Sequence, residues 1–540
     1  MSTRSTELEY RPLRAPREDR TALAEPPLEE AGRPIERNVQ QAAEQDYDFQ
    51  GRGLLELRGE ARAALLDDAR AWTGSYRDAA RPAAGQGPLL LAGHQPELFH
   101  PGVWIKNFAL DWLARRHGGV AVNLLIDSDT AKRTWVTVPA GSVAEPVRRR
   151  VAFDEPGSRI PYEEREVLDA ETFSSAGRRA REAMAPLVPD AMIGEYWALA
   201  DARRRATGKL GAALAQSRHQ LEGRWGLETL EVPQSRICQS EPFCWFLAHL
   251  LARLPRLWEV HNEAVGTYRR VHRIRSAAHP VPDLHADDRW LEAPFWVWHA
   301  GDPRRRPLFA RQRADEIVLS DGESWELPLP LTAEGEAARA VGRLLDAARQ
   351  GVRIRSRALI TTLWARLVLG DLFIHGIGGA KYDQLTDVLV ERFFGLSPPQ
   401  FLVLSATLHL PIPRERVRAH EEREIRQELR QLTYHPEKFI DGAARNALHE
   451  AGRLIREKQR WIETAQTPEN ARTRCRSIRR VNEALQPYVA EKRRELVSRR
   501  AEAGRALRAE KVLGSREYAF CLHPEKTFRR FLDEVLPKNA

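Results

Sequence analysis

Residues 87–130 constrain the fold of this chain more than any other stretch. An apolar run at 88–92 is followed by a polar loop, a segment with apolar residues at helical spacing, and a second apolar run at 120–126. This order of strand, loop, helix and strand is typical of a parallel βαβ unit. Both polar loops then lie at the carboxyl ends of strands, where open α/β sheets bind ligands. The stretch therefore predicts an α/β fold with a Rossmann-like parallel sheet.

A second unit of the same kind occurs late in the chain. An apolar run at 372–374 leads into a glycine-rich loop at 375–383, an amphipathic segment at 385–394 and another apolar run at 401–404. Helical patterns fill much of the sequence between the two units, so we expect helical insertions that split the sheet. The expected organisation begins with a flexible or surface-wrapping N-terminal lead plus a helix at 1–84. It continues with the first half of the core at 85–139, a helical insertion at 140–230, a core continuation with a small β excursion at 231–350, the second half of the core at 351–412, a coiled-coil hairpin at 413–517 and a tail packing on the core at 518–540.

The C-terminal region is rich in helix formers between residues 414 and 511. Its apolar residues recur at intervals near three and four, and breaks at 434–436 and 466–470 indicate an antiparallel hairpin of coiled-coil type. Such a projection commonly serves dimerisation, so we expect a homodimer. Roughly all of the excess positive charge lies after His409. A solvated arginine surface is favoured over nucleic-acid binding, because few aromatic residues are interleaved with the basic ones.

The composition narrows the class of protein. The chain has 540 residues, a hydrophobic content of 42% and a formal net charge of +9. No apolar run reaches the roughly 18 residues of a membrane-spanning helix, and the polar N-terminus lacks a signal-peptide core. We therefore expect a cytoplasmic protein without a membrane segment. The four cysteines lack the paired spacing of a zinc site, so neither a disulfide nor a protein metal site is expected.

The loop after the first predicted strand collects polar groups beside a helix start. Backbone amides at a helix N-terminus bind phosphate or carboxylate, and a histidine there can donate to a developing negative charge. His94 and His100 are therefore candidates to stabilise an oxyanion or a phosphate. The alternative is a tight turn with exposed polar groups. The candidate binding residues of this loop and the following helix are Gly93, Gln95, Gly102 and Lys106.

Three acidic residues are further candidates. Asp127 and Asp129 follow the second strand two residues apart, so both would project from one face if the strand continued. They would hold an amine, a ribose hydroxyl or hydrated Mg²⁺, whereas the alternative is that they cap a turn or helix. Glu292 would bind a polar substrate group beside Trp296 and Trp298, whereas the alternative is a strand that packs these tryptophans into the core.

The glycine-rich loop supplies the other half of the expected site. It matches neither a P-loop nor the full dinucleotide fingerprint. Its amides are suited to close over an anionic group at a strand end, whereas the alternative is a simple tight turn. The candidate binding residues here are His375, Gly376, Gly378, Gly379, Lys381, Tyr382 and Asp383.

Four segments of the chain carry a resemblance to a known family. They lie at 91–99, 101–104, 125–129 and 375–382. In order and character they resemble the strand ends, helix start and glycine loop of the bacillithiol cysteine ligase family. The resemblance implies a core related to nucleotidyltransferases, a C-terminal coiled coil used in dimerisation, and a ligase that joins cysteine to a glucosaminyl-malate amine. This chain has His94 and Gly379 where that family has glutamine and glutamate, and it also departs from the family at 127–130.

The residues and the resemblance together predict an enzyme that forms a carbon–nitrogen bond on a small polar metabolite. The expected catalytic residues are His94, His100, Asp127 and Asp129. The cofactor stays open, with ATP or another adenine nucleotide with Mg²⁺ as the candidate. The competing hypothesis is a non-catalytic nucleotide-binding or scaffolding protein that dimerises through its helical hairpin.

Overall fold

The computed structural model describes residues 8–78, 87–413, 419–440 and 449–537. The chain divides into two compact units. The first consists of Met1–Val138, Arg150–Leu410 and Arg516–Ala540, and the second of Pro139–Arg149 and Pro411–Ser515.

The strands are numbered in chain order. They are β1 (Thr21–Glu25), β2 (Leu89–His94), β3 (Val120–Leu125), β4 (Trp135–Gly141), β5 (Pro146–Ala152), β6 (Leu230–Pro233), β7 (Leu291–His299), β8 (Asp302–Gln312), β9 (Ile317–Ser320), β10 (Glu326–Leu329), β11 (Val352–Ser356), β12 (Leu372–His375) and β13 (Leu402–Thr407). The helices of the first unit are α1 (Gly32–Glu44), α2 (Leu54–Gly74), α3 (Pro101–Arg116), α4 (Ala170–Met184), α5 (Ile193–Thr207), α6 (Leu210–Arg224), α7 (Gln234–Ile237), α8 (Glu241–Ala252), α9 (Leu254–Val271), α10 (Ala338–Arg349), α11 (Ala358–Trp364), α12 (Ile377–Arg392) and, near the C-terminus, Glu525–Val535.

A six-stranded sheet forms the centre of the first unit. Its spatial order is β1, β13, β12, β2, β3 and β6. The last five of these strands run parallel to one another, whereas β1 pairs antiparallel with β13 at the edge. Residues 89–92 of β2 are all buried, as expected for a parallel strand covered on both faces. The predicted α/β class with a mostly parallel sheet is confirmed.

The chain adds strands to this sheet in opposite directions from β2 and from β12. After β2 the chain adds β3 on one side, whereas after β12 it adds β13 on the other. Right-handed crossovers that leave in opposite directions place their helices, α3 and α12, on opposite faces of the sheet. The carboxyl ends of β2 and β12 therefore flank a topological switch point, where open α/β sheets leave a ligand crevice.

Helix α3 lies close against the sheet and the C-terminal tail. A Cβ atom on Gly102 would lie 2.1 Å from the carbonyl oxygen of Ala406, so glycine is required for the first turn of α3 to approach β13. On α3, the ring of Trp104 has its centroid 4.4 Å from the ring centroids of both Phe520 and Phe528. The tail thus packs beside the start of α3 through aromatic contacts.

The described part of the N-terminal lead contains a strand and a helix that pack on the main sheet, which agrees with the surface-wrapping alternative rather than the flexible one. Strand β1 completes the sheet edge, and Asn38 on α1 is buried. Its side-chain amide donates to the carbonyl oxygens of Asp371 and Gln400 at 2.8 Å each. Because a polar side chain that binds distant backbone carbonyls leaves no apolar periodicity, the sequence pattern did not reveal this attachment.

The β excursion in the core continuation is a second, antiparallel sheet. Its strand order is β10, β9, β8, β7 and β11. Trp298 on β7 is fully buried, as the core alternative for this strand predicted. Strands β4 and β5 form a separate two-stranded sheet.

The second unit is helical in its described residues. Its helices are Ala419–Tyr434, His449–Glu463, Ala471–Leu485 and Ala490–Leu513. The first packs against the fourth and the second against the third, around a shared apolar core that includes Leu432, Val481, Leu485 and Leu496. The predicted breaks at 434–436 and 466–470 fall at helix ends. This pairing is that of one antiparallel hairpin that turns at 464–470, with each of its two arms divided into two helices. Parts of that hairpin, at 414–418 and 441–448, lie outside the described residues. Across the described residues of both units, every helix is too short or too polar to cross a membrane.

Candidate functional site

A cavity of about 1040 Å³ opens at the switch point of the main sheet. His94 ends β2 and His375 ends β12, so both reach its wall from adjacent parallel strands. Its size and position are those of a small-molecule site. The structure brings together here most of the residues that the sequence singled out, namely Gly93, His94, Gln95, His100, Gly102, Lys106, Asp129, His375, Gly376, Gly378, Gly379, Lys381 and Tyr382.

His94 and His100 have opposite hydrogen-bonding roles in this wall. The Nδ1–H of His94 donates to the Gln95 carbonyl oxygen at 3.0 Å, which leaves Nε2 as an acceptor. The Nδ1 of His100 instead accepts from the Gly102 amide at 3.0 Å, which leaves Nε2–H as a donor. Burial lowers the pKa of His94 to about 3 and that of His100 to about 4, so both rings are neutral at pH 7. Both histidines were expected to stabilise an oxyanion or a phosphate. The structure instead leaves His94 with an acceptor and His100 with a donor at Nε2.

Helix α12 begins at Ile377, so most of the predicted glycine-rich loop at 375–383 is helical. The first turn of this helix, which contains Gly378 and Gly379, lines the cavity. Gly376 is its N-cap residue and has no side chain to cap the first amides. A Cβ atom on Gly378 would meet nothing within 4 Å, so this position opens into the cavity. Unsatisfied amides and the helix dipole at such a terminus favour an anion.

Asp383 lies behind the cavity rather than in its wall. It is fully buried, and its Oδ2 lies 2.5 Å from Nη1 of Arg366 and 2.9 Å from Nε2 of His375. Although burial alone would raise it, the Arg366 and His375 neighbours hold the pKa of Asp383 below its usual range. Asp383 therefore anchors His375 and α12 and does not contact a ligand in the cavity.

Asp127 and Asp129 do not share a face, contrary to expectation. Strand β3 ends at Leu125 and a turn follows, so the two-residue alternation of a strand no longer applies. Asp127 accepts from the amide of Ser235 at 2.9 Å and from its hydroxyl at 2.5 Å. It lines a separate cavity of about 330 Å³, where burial and the nearby Glu163 raise its pKa to about 7.

Asp129 does line the large cavity, and its oxygens are already engaged. Oδ2 accepts from Nε2 of Gln95 at 3.2 Å, and Oδ1 lies 3.4 Å from Nη1 of Arg305. Lys132 lies 3.4 Å from the same carboxylate. Asp129 therefore fixes Gln95 and Arg305 in the wall.

Glu292 does not line the cavity but binds an arginine that does, Arg357, which the sequence analysis did not single out. Its carboxylate accepts from Nη2 of Arg357 at 2.6 Å. The guanidinium carbons of Arg357 and Arg305 lie 4.0 and 4.8 Å from the ring centroid of Trp296, and all three side chains line the cavity. The sequence did contain a signal for such arginines, namely two tryptophans followed by a basic run at 304–306, because guanidinium groups stack on aromatic rings.

Cationic side chains outnumber carboxylates in the wall of the cavity. The carboxylates that line the cavity are Asp129 and Glu517. The cationic residues in the same wall are Arg14, Lys106, Arg305, Arg357, Lys381 and Arg516. A concave surface with this excess of cations attracts phosphate or carboxylate groups.

A buried cluster elsewhere has the residue types of a metal site but is already neutralised. His219, Glu222 and Glu231 offer ligand atoms that lie close together. The guanidinium of Arg218 donates to Glu222 at 2.7 Å and also to Glu231. Because this guanidinium already pairs with both carboxylates, we interpret the cluster as a structural network.

The fold and the cavity define an α/β protein with a large, cation-lined cavity at the switch point of its sheet. No protein-family model matches the chain, and a search of the curated proteins finds no match.

Proposed function

We propose that the chain is an enzyme that forms a carbon–nitrogen bond on a small, anionic metabolite in the switch-point cavity. The single observation that carries the proposal is the convergence of a donor histidine, an acceptor histidine and the first turn of α12 on one cavity with a cationic wall. Acyl transfer to an amine needs such groups, because negative charge develops on oxygen while a proton leaves nitrogen. The resemblance to the bacillithiol cysteine ligase family supports the reaction type.

The residues have distinct proposed roles. His100 donates through Nε2–H to the oxygen that becomes negative, and Lys381 and Arg516 offset the charge of an anionic substituent. The amides at the start of α12 bind the same substituent. The Nε2 of His94 accepts a hydrogen bond from a substrate hydroxyl or amine and orients it.

An adenine nucleotide fits the same wall. Cationic side chains and the first turn of α12 would hold its phosphates, and apolar residues such as Phe373 and Leu359 would contact the base. When bound, the nucleotide supplies activation of a carboxyl group. The carboxylate of Asp129 is bound to Arg305 and Gln95, so we assign Mg²⁺ no ligand from this chain.

Ligation of cysteine to glucosaminyl malate is the first test of the proposed activity. The purified chain is incubated with both compounds and ATP·Mg²⁺, and mass spectrometry is expected to detect the ligated product. A His100→Ser variant, whose hydroxyl can still accept from the Gly102 amide at the start of α3 but which has no donor at the Nε2 position, is expected to lose about 10²–10³-fold in kcat. An absent product from folded wild-type protein that binds ATP would contradict this substrate pair.

We also propose that two copies of the chain assemble through the helical second unit. Its helices expose the apolar side chains Ile462 and Val497, which are 42% and 53% accessible. We expect a second copy of the chain to cover these two side chains.

Sedimentation velocity tests this assembly. Wild-type protein is expected to sediment as a dimer, and the double variant Ile462→Glu with Val497→Glu as a monomer, because buried charge would oppose association. Leu55→Glu is the matched control, since Leu55 is equally exposed but lies on α2 in the first unit. A wild-type monomer at micromolar concentration would refute the proposal.

A further inference from the structure

Lysine is rare in this chain and holds one conspicuous position. The sequence has ten lysines among its 84 lysine and arginine residues. Lys106 lies one turn inside α3 and in the wall of the large cavity, yet it is only 4% exposed. Arginine supplies charge equally well but stays protonated in proteins, whereas lysine can lose its proton. A lysine at this position is therefore suited to proton transfer.

The surroundings of Lys106 favour its neutral form. Nζ donates to the carbonyl oxygen of Gly93 at 3.1 Å, and no carboxylate among the described residues forms an ion pair with it. Burial lowers the pKa of Lys106 to about 8. The other titratable or charged groups that share its cavity are His94 on β2, His100 at the start of α3, His375 on β12, Lys381 and Tyr382 on α12, His261 on α9, Arg305 on β8, Arg516 and Glu517 before the tail, and Arg14, Asp129, His279 and Arg357 in the connecting segments.

The neighbouring histidines are less suited to accept a proton. Burial holds the pKa of His94 near 3 and that of His100 near 4. Efficient general bases have a pKa near the operating pH. Among the described residues that reach this part of the wall, Lys106 meets that condition best.

We propose that Lys106 is the general base that takes a proton from the ammonium group of the substrate. This inference rests on the proposed function. The lone pair of neutral Nζ accepts one proton and becomes an ammonium group, which leaves the substrate nitrogen as a free amine. That amine forms the carbon–nitrogen bond with the activated acyl carbon, and the bond from this carbon to the phosphate-bearing leaving group breaks. The leaving group departs with the bonding electrons, and the second proton that the nitrogen loses passes to its phosphate oxygen or to solvent water.

Titration of the lysine side chains tests, without any substrate, whether the pKa of Lys106 is lowered. In protein labelled with ¹³C at lysine Cε, the resonance that is lost in Lys106→Arg identifies Lys106. Its midpoint is expected near pH 8, whereas an unperturbed lysine titrates near 10.4. A midpoint above pH 10 would overturn the proposal whether or not the enzyme forms product.

Kinetic measurements test whether Lys106 acts as a base during the reaction. Lys106→Ala is expected to lower kcat/KM for ligation by about 10²–10⁴-fold. Added methylamine and ethylamine are expected to restore part of the rate in proportion to their neutral fractions, which a structural role would not produce. Lys492→Ala, at an exposed position in the second unit, is the control and is expected to keep the full rate.

The outcomes separate the two proposals. Full activity in Lys106→Ala, or a reduced activity that no amine restores, overturns the role of Lys106 and leaves the ligase proposal intact. If folded wild-type protein forms no product, the proposed function fails and the role of Lys106 fails with it. ATP binding by Lys106→Gln, measured by calorimetry, shows that the variant retains a formed cavity.

Discussion

Replacing Arg366 by methionine is expected to destabilise the first unit by about 3–5 kcal/mol. Arg366 is buried and donates to Asp383 at 2.5 Å, to Asp387 at 2.6 Å and to the carbonyl oxygen of Pro399. Methionine preserves much of the side-chain volume but leaves the carboxylate of Asp383 without its main cation. Urea unfolding followed by tryptophan fluorescence measures the change in the free energy of unfolding.

The controls for this variant separate charge from packing. Arg178→Met removes an exposed pair with Glu182 and is expected to cost less than about 1 kcal/mol. In Arg366→Met the unpaired carboxylate gains a raised pKa, so the loss of stability is expected to shrink as the pH falls from 7.5 to 5. Adding Asp383→Asn is expected to recover part of the loss. Equal effects of the Arg366 and Arg178 substitutions would contradict the buried-pair account.

Replacing Gly378 by phenylalanine is expected to weaken ligand binding by roughly 100-fold, or about 2.7 kcal/mol, without loss of stability. A Cβ atom at this position would meet no protein atom within 4 Å, and Gly378 lines the cavity, so a larger side chain would project into it. The new ring would fill the volume beside the first turn of α12 and exclude an anionic group from its amides. Isothermal titration calorimetry with ATP as the probe measures the change.

Two further variants test whether this effect depends on the size of the side chain and on its position in the cavity. Gly378→Ala adds one methyl group and is expected to weaken ATP binding much less than phenylalanine does. Gly59→Phe is the matched control, because Gly59 is also exposed with nothing within 4 Å, but lies on α2 outside the cavity. ATP binding with unchanged affinity by Gly378→Phe would exclude this cavity as the ATP site.

The spacing of apolar residues along the chain predicted the strands and helices that form from residues close together in the sequence. The strands that end at His94 and His375, and the helices that follow them, have apolar spacings that the sequence displays directly. The position of both loops at one sheet edge then follows from the rule for parallel strands. The edge strand β1 was missed because its pairing with β13 depends on residues far apart in the chain.

The residues of the site that were misplaced share a physical cause. The separation of Asp127 from Asp129 depends on where β3 ends, and strand ends are poorly marked by composition. The part played by Arg357 depends on its pairing with Glu292, a contact across 65 residues that no local pattern encodes. The chemistry of Lys106 depends on its degree of burial, which only the packed structure gives.

The pairing of β2 with β12 has a consequence for how the protein is made. Leu90 pairs with Leu372, so the two walls of the cavity leave the ribosome with most of the chain between them. At roughly 5–20 residues per second, translation holds the first wall without its partner for tens of seconds. The apolar strand β2 is exposed as a sheet edge throughout that interval. Fragments that end before β12 are therefore expected to need chaperone protection and to lack a binding site altogether.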